Sequence, residues 1–168
     1  MGVRLTFSAP ELLASHHELG AFDCGVAALD AWLKRRALAN QASGASRTFV
    51  VCEGTKVIGY YALASGAVNI AAASGRFRRN MPDPIPVALL ARLAIDRARQ
   101  GNGLGRALFR DAGMRVARAA DVIGIRGILV HAISANARAF YLALGFEPSP
   151  VDPMMLMVTL NDLRESLE

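Results

Sequence analysis

Leu93-Ala94-Ile95-Asp96-Arg97-Ala98-Arg99-Gln100-Gly101-Asn102-Gly103-Leu104-Gly105 is the stretch on which the fold turns. It begins at the end of Val87–Ile95, an apolar run interrupted only by Arg92. Such a run predicts a central strand covered on both faces. It ends in glycines that open a long helical pattern, expected over 103–123. Leu104, Leu108, Ala112, Val116 and Ala119 fall on one side of that helix, with Arg106, Arg110 and Arg118 off it. A helix start carries unpaired N–H groups and the positive end of the dipole. Glycines there let a phosphate approach the backbone closely. Strand, glycines and helix together predict a phosphate or pyrophosphate cradle. The spacing excludes two familiar loops. Gly101-x-Gly103-x-Gly105 is not GxGxxG, and Arg106-Ala107 is not the Lys-Ser/Thr of a Walker A loop. On the residues alone, a glycine-rich helix start used only for tight packing is an equal reading.

Outward from this stretch the pattern alternates. Residues 3–7 read as a short strand and 8–24 as irregular chain. Val26, Leu29, Leu33 and Ala37 make one apolar stripe, which predicts a helix over 26–39. Strands are expected over 47–52 and 56–65, joined by a turn at Glu53-Gly54-Thr55. Residues 66–85 carry little pattern and read as an exposed connection, with a short helix at its start. A buried strand is expected over 125–133. Ser134 should cap a helix ending near Leu144, with Gly145 as its stop. Phe146 opens a strand, 154–160 is the last one, and the polar tail holds one or two helical turns. No repeat or linker divides the chain, so residues 1–168 are expected to form a single mixed α/β domain with a central sheet.

At 168 residues the chain can bury a core without staples. No apolar run reaches the roughly 18–20 residues of a membrane span, and Met1-Gly2-Val3-Arg4-Leu5-Thr6 lacks the features of a signal peptide. Cys24 and Cys52 stand apart, which fits a reducing cytoplasm. No His/Cys spacing suits a metal, so none is expected. The basic residues are 17 Arg and only 2 Lys. A genome rich in G and C would give that preference; so would phosphate contact, since the guanidinium fork fits phosphate. Their distribution favours the second. Residues 146–168 set Arg164 against Glu147, Asp152, Asp162, Glu165 and Glu168, so the net +5 conceals an excess of nine positive charges on the rest. Lys34, Arg35 and Arg36 form one cluster and Arg76, Arg78 and Arg79 another, while Arg47 and Arg92 stand singly in strands. Such a field attracts a polyanion. A lone Arg in a buried strand needs an anionic partner or a cleft, which marks Arg92.

Gln100-x-x-Gly103-x-Gly105 after a strand resembles the acetyl-CoA pyrophosphate loop of the GCN5-related N-acetyltransferases (GNAT). Asn136-Ala137-Arg138-Ala139-Phe140-Tyr141-Leu142-Ala143-Leu144-Gly145-Phe146 resembles that family's later helix. Phe22-Asp23-Cys24-Gly25, Leu29–Leu33, Ser43–Val50 and Leu89–Asp96 are similar to one subgroup, the acetyltransferase toxins of bacterial toxin–antitoxin pairs. The likeness spans roughly residues 4–160. It implies a GNAT fold, with a mixed sheet of about six or seven strands flanked by about four helices. It also implies acetyl-CoA as donor, the α-amino group of aminoacyl-tRNA as acceptor, a ribbon-helix-helix antitoxin that can join operator DNA, and a homodimer.

The resemblance implies a set of site residues. Tyr141 is the general acid. Leu93, Ala94 and Ile95 meet the pantetheine arm through their backbone. Arg97, Arg99, Gln100, Gly101, Asn102, Gly103, Leu104, Gly105 and Arg106 surround the pyrophosphate, and Asn136 holds the coenzyme beside them. Lys34, Arg35, Arg36, Arg47, Arg76, Arg78, Arg79 and Arg92 are expected to hold tRNA. Asn102 departs from the family, which commonly has Lys or Arg there. Because the amine of an aminoacyl ester titrates below a free α-amino group at about 7.7–8.0, much of it is neutral and no strong protein base is demanded. Two other readings remain open at this stage: an acetyltransferase for a small-molecule or protein amine, and an acyl-CoA-binding module without catalysis.

Overall fold

The computed structural model describes residues 7–167. Seven strands form one mixed sheet: β1 (Glu11–Leu12), β2 (Arg47–Glu53), β3 (Lys56–Val68), β4 (Ile85–Ile95), β5 (Gly127–His131), β6 (Glu147–Pro148) and β7 (Met155–Thr159), in the order β1-β2-β3-β4-β5-β7-β6. β4 and β5 run parallel, with Ala88 opposite Ile128 and Leu89 opposite Leu129. The hairpin partners β2–β3 and the pair β5–β7 are antiparallel. Among the described residues six helices accompany the sheet: α1 (Ala27–Arg35), α2 (Ala37–Ser43), α3 (Gly75–Arg78), α4 (Leu104–Ala119), α5 (Ala135–Ala143) and α6 (Leu160–Leu167). No helix among the described residues is long and apolar enough to cross a membrane. The chain divides into two compact units.

The first unit takes the described chain up to Leu63 together with Arg92–Asp111. Its core gathers Leu13, Phe22, Leu33, Ala37, Val50, Val57, Tyr60 and Ala94, with Leu29 and Trp32 packed against it. Burying Leu33 alone is worth about 1.5–3 kcal/mol. Gly59 of β3 lets neighbours close in: an added Cβ would lie 2.9 Å from Val51 Cγ1 and 3.1 Å from Ile95 Cδ1 and Leu108 Cδ1. The helix expected over 26–39 is two helices. Arg36, at φ −123°, leaves helical geometry between α1 and α2. Gln41 then braces α2, donating from Nε2 to the Leu13 carbonyl at 2.7 Å and accepting the Thr48 amide at 3.1 Å. Periodicity carries no trace of that brace. The strand expected over 3–7 lies, apart from Phe7, outside the described residues, and β1 falls in chain read as irregular.

The second unit holds Ala64–Ala91 and the chain from Ala112 onward. Val68, Ala73, Phe77, Ile85, Val87, Leu129 and Met157 form its core. The connection read as exposed over 66–85 therefore contributes four core side chains: Val68 at the end of β3, Ala73, Phe77 of α3 and Ile85 at the start of β4. They are too isolated in sequence to make a pattern. α4 stops at Ala119, which leaves Val122 and Ile123 exposed in the turn that follows. Gly127 is obligatory at the start of β5, since a Cβ would sit 1.9 Å from the Val158 carbonyl oxygen. α5 has the expected ends. Ser134 Oγ accepts the Ala137 amide at 3.1 Å, and Gly145 turns left-handed at φ +98°. The Phe146 amide reaches back to the Tyr141 carbonyl at 3.2 Å and satisfies an orphan acceptor of the last turn.

Candidate active site

In the first unit, β4 feeds the glycine loop. The strand is not covered throughout, as its apolar run predicts. Burial holds to Leu90, Ala91 is exposed, and Arg92, Leu93 and Ile95 are half-buried. The apolar run is thus only partly core.

The loop has a defined shape. Asp96 caps a single 3-10 turn, Arg97–Arg99, by accepting the Ala98 amide at 3.0 Å. Its second oxygen accepts the Asp23 amide at 3.1 Å. The Arg97 amide donates to the Asp23 carbonyl at 2.8 Å, and its Nε to Asp23 Oδ1 at 3.1 Å. Gln100 donates from Nε2 to the Cys24 carbonyl at 2.9 Å and to the Ile95 carbonyl at 2.8 Å. Phe22-Asp23-Cys24-Gly25 is therefore the splint that fixes the loop. The Gly25 amide, assisted by Arg97, holds the Asp23 carboxyl below its usual range against a smaller desolvation effect. Asp30 accepts the Cys24 amide at 2.9 Å and ties the splint to α1. Sequence reasoning assigned no site role to Asp23, Asp30 or Asp96; only their place in Phe22–Gly25, Leu29–Leu33 and Leu89–Asp96, the stretches similar to the toxin subgroup, hinted at one.

Beyond Gln100 the backbone opens. Gly101 and Gly103 have φ of +84° and +80°, and a Cβ on either would meet nothing within 4 Å. The Ala107 amide bonds the Gly103 carbonyl at 3.1 Å, whereas the amides of 101–106 have no acceptor among the described residues. Six backbone donors beside vacant space fit a pyrophosphate. The charged residues of the loop are placed differently from expectation. Arg97 is paired with Asp23, and Arg99 with Glu53. Gln100 holds the loop rather than facing out of it. Arg106, exposed in the first turn of α4, has no carboxylate partner among the described residues.

The first unit also holds Lys34, Arg35 and Arg36, exposed at the end of α1, and Arg47, exposed with Nη1 on the Gln41 carbonyl at 2.8 Å. Arg92 meets a ring instead of an anion: its guanidinium carbon lies 4.2 Å from the Trp32 centroid.

In the second unit Tyr141 is 7% exposed on α5, its ring edge-on to Phe140 at 5.2 Å and Phe146 at 5.3 Å. Its hydroxyl has no partner among the described residues, although buried tyrosines usually find one. Burial pushes its pKa up to about 12, so the proton stays on at neutral pH. Asn136 is exposed in the first turn of α5. Arg76, Arg78 and Arg79 are exposed around α3, with Arg76 Nε 3.1 Å from Asp162 Oδ2.

Two other clusters have no such chemistry. Glu11, His17 and Cys52 bring ligand atoms within 4.8 Å of one another. The Ala14 amide, however, donates to His17 Nδ1 at 2.9 Å, so Nε2 carries the hydrogen that meets Glu11 at 2.8 Å. No ring lone pair is left for a cation. Cys24 and Cys52 are buried, and burial lifts both thiols to about 11, which makes them inert.

An open glycine cradle after a strand, and a tyrosine hydroxyl kept free on a later helix, are features of an acyl-CoA-dependent transferase. Residues 44–148 match the acetyltransferase (GNAT) domain family, and the chain belongs to it. It is 53% identical over 158 residues to the tRNA-acetylating toxin of Mycobacterium tuberculosis, covering 94% of this chain and 95% of that protein. Its structure matches that of AtaT complexed with acetyl-methionyl-tRNAfMet, with a TM-score of 0.89 and 29% identity over 97% of this chain and 100% of that one. It also matches a mutant AtaT toxin bound to the C-terminus of the antitoxin AtaR and acetyl-CoA. There the TM-score is 0.82, at 28% identity over 95% and 97% of the two chains.

Proposed function

We propose that this chain moves the acetyl group of acetyl-CoA onto the α-amino group of an aminoacyl-tRNA, and that it acts as the toxin of a toxin–antitoxin pair. The observation that carries the reading is the 53% identity with a tRNA-acetylating toxin along nearly the whole of both chains. The geometry supports it unit by unit. In the first, the amides of 101–106 hold the pyrophosphate, with Arg106 as the free cation beside them. Leu93, Ala94 and Ile95 present the strand edge to the pantetheine arm. Asp23, Asp96, Arg97 and Gln100 keep the cradle in shape, so that little ordering is left to the moment of binding.

Acetyl-CoA supplies an activated thioester. In the second unit Tyr141 Oη holds a proton that it can give up to the departing sulfur, and its apolar surroundings keep it from ionising first. Asn136, at the start of α5, adds a polar contact to the coenzyme. The exposed Lys34, Arg35, Arg36, Arg47, Arg78 and Arg79 attract the RNA backbone by charge. Arg76 shares its charge with Asp162 and contributes less. The whole is one acetyltransferase domain acting in the cytoplasm as a homodimer, restrained by a ribbon-helix-helix antitoxin that carries it to operator DNA.

The test is incubation with labelled acetyl-CoA and a panel of charged tRNAs, followed by mass analysis of the aminoacyl-adenosine. Acetylated α-amine on at least one tRNA is expected. Transfer to free amines or proteins with none to any charged tRNA would overturn the proposal.

A further inference from the structure

We infer that Arg92 is an anchor for a backbone phosphate in the single-stranded 3′ end of the RNA acceptor, with Trp32 as the plate that sets its direction. The inference rests on the acceptor being an aminoacyl-tRNA, as proposed above.

Alternation along β4 puts Arg92 on the same side as Ala94, which belongs to the core cluster that Trp32 packs against. Three aromatic and cationic groups are stacked on this side. The Arg92 guanidinium carbon is 4.2 Å from the Trp32 centroid, and Trp32 lies nearly parallel to Tyr60, at 6.0 Å and 12°. Tyr60 is fully buried and donates its hydroxyl to the Leu29 carbonyl at 2.7 Å. The base of the stack is therefore fixed by burial and a hydrogen bond, and the half-buried cation lies over its top.

The charge at the top is uncompensated. Arg76, Arg97, Arg99 and Arg164 each have a carboxylate. Arg92 has none among the described residues. A half-buried cation without an anion is costly to keep, and the ring quadrupole offsets only part of that. The Arg92 guanidinium, over the indole, makes no hydrogen bond to any described residue, so its N–H groups are available. They form a planar fork, the shape that takes a phosphate through two parallel hydrogen bonds.

Position identifies which phosphate. At about 3.3 Å per residue, Arg92 lies roughly 10 Å back along β4 from Ile95, where the strand enters the cradle. An anion at Arg92 is thus separate from one held by the loop amides. It belongs to the acceptor, near its reactive end. Trp32 sits on α1, whose last turn carries Lys34 and Arg35. The same helix thereby supports the anchor and starts a basic track away from it.

The experiment compares kcat/KM for the best aminoacyl-tRNA of the panel with that for the corresponding aminoacyl-adenosine, which has the ester and the base but no phosphate. In Arg92→Ala the ratio of the two should fall about 10- to 100-fold, as for loss of a charge-assisted hydrogen-bond pair. Arg92→Lys, which keeps the charge without the fork, should recover only part. The slope of log affinity for tRNA against log salt should shrink by about 0.7 in Arg92→Ala. If aminoacyl-adenosine turns over too slowly to measure, this slope decides. A ratio or slope equal to wild type, or full rescue by Lys, would overturn the anchor. Absence of any aminoacyl-tRNA acetylation by the wild-type chain would instead overturn the function proposal, so the two failures are distinct.

Discussion

Replacing Tyr141 by Phe removes one oxygen and should separate stability from turnover. The ring keeps its contacts with Phe140 and Phe146. No hydrogen bond is lost among the described residues, and an unpartnered hydroxyl leaves an apolar site. Stability at pH 7 should therefore stay level or rise, by up to about 1 kcal/mol. Loss of a general acid costs about 10²–10⁴-fold in rate, or about 3–5 kcal/mol of barrier. The hydroxyl also sets an alkaline limit. Its folded pKa of about 12 stands above the unfolded value near 10, so folding favours the protonated form. That contribution is complete below pH 10 and is lost as pH rises towards 12, at about 1.4 kcal/mol per pH unit. Wild type should lose about 2–3 kcal/mol from this group over that range, and Tyr141→Phe should not. The assays are single turnover at saturating acetyl-CoA and urea unfolding from pH 7 to 11.5. Wild-type turnover in the variant would remove Tyr141 from the chemistry. A stability loss above about 1 kcal/mol at pH 7 would show that the hydroxyl is bonded after all.

Gln100→Ala frees the Cys24 and Ile95 carbonyls and should raise the acetyl-CoA Kd by up to about 30-fold, at about 1 kcal/mol for each of the two lost hydrogen bonds; calorimetric titration checks it, and an unchanged Kd would mean the loop holds its shape unaided. Gly103→Ala places a methyl group in the open face of the cradle at φ +80°, at a backbone cost of about 1–2 kcal/mol. A folded protein with acetyl-CoA affinity weakened by at least tenfold is expected, and tight binding would exclude the cradle. Cys24 and Cys52 should resist a thiol reagent in the native protein at pH 8 and react fully in urea, because burial lifts both thiols to about 11; fast native labelling of either would contradict the packing.

The left-handed glycines after β4 and the caps of α5 are legible because each depends on neighbours close in sequence. Ser134 and Gly145 act within one turn of their own helix, and a strand running into glycines states its geometry locally. The splint was not legible. Asp23 and Gln100 belong to separate motifs, and nothing in either says that they brace the same loop until a fold brings them together. Arg97 and Arg99 were read as phosphate ligands because a free guanidinium and a paired one are written with the same letter; only Asp23 and Glu53, far away in the chain, decide between them. Arg92 was expected to need an anionic partner or a cleft. The partner is aromatic, from a helix whose apolar stripe gave no reason to single out Trp32. The division of one expected helix into α1 and α2 was hidden for a similar reason, since Leu33 and Ala37 keep helical spacing across the break at Arg36.

The splint has a consequence for when the protein becomes competent. Its hydrogen bonds join residues 73 to 76 positions apart, so the cradle can take shape only once a long loop has been closed. A growing chain that has exposed Phe22–Gly25 but not Gln100 has no coenzyme site at all. The reverse coupling also holds. A ligand that binds only the finished cradle holds those distant segments together, adding about 2.7 kcal/mol at a hundredfold excess over its Kd. Cellular acetyl-CoA would then set how long a newly made molecule remains folded as well as how fast it turns over.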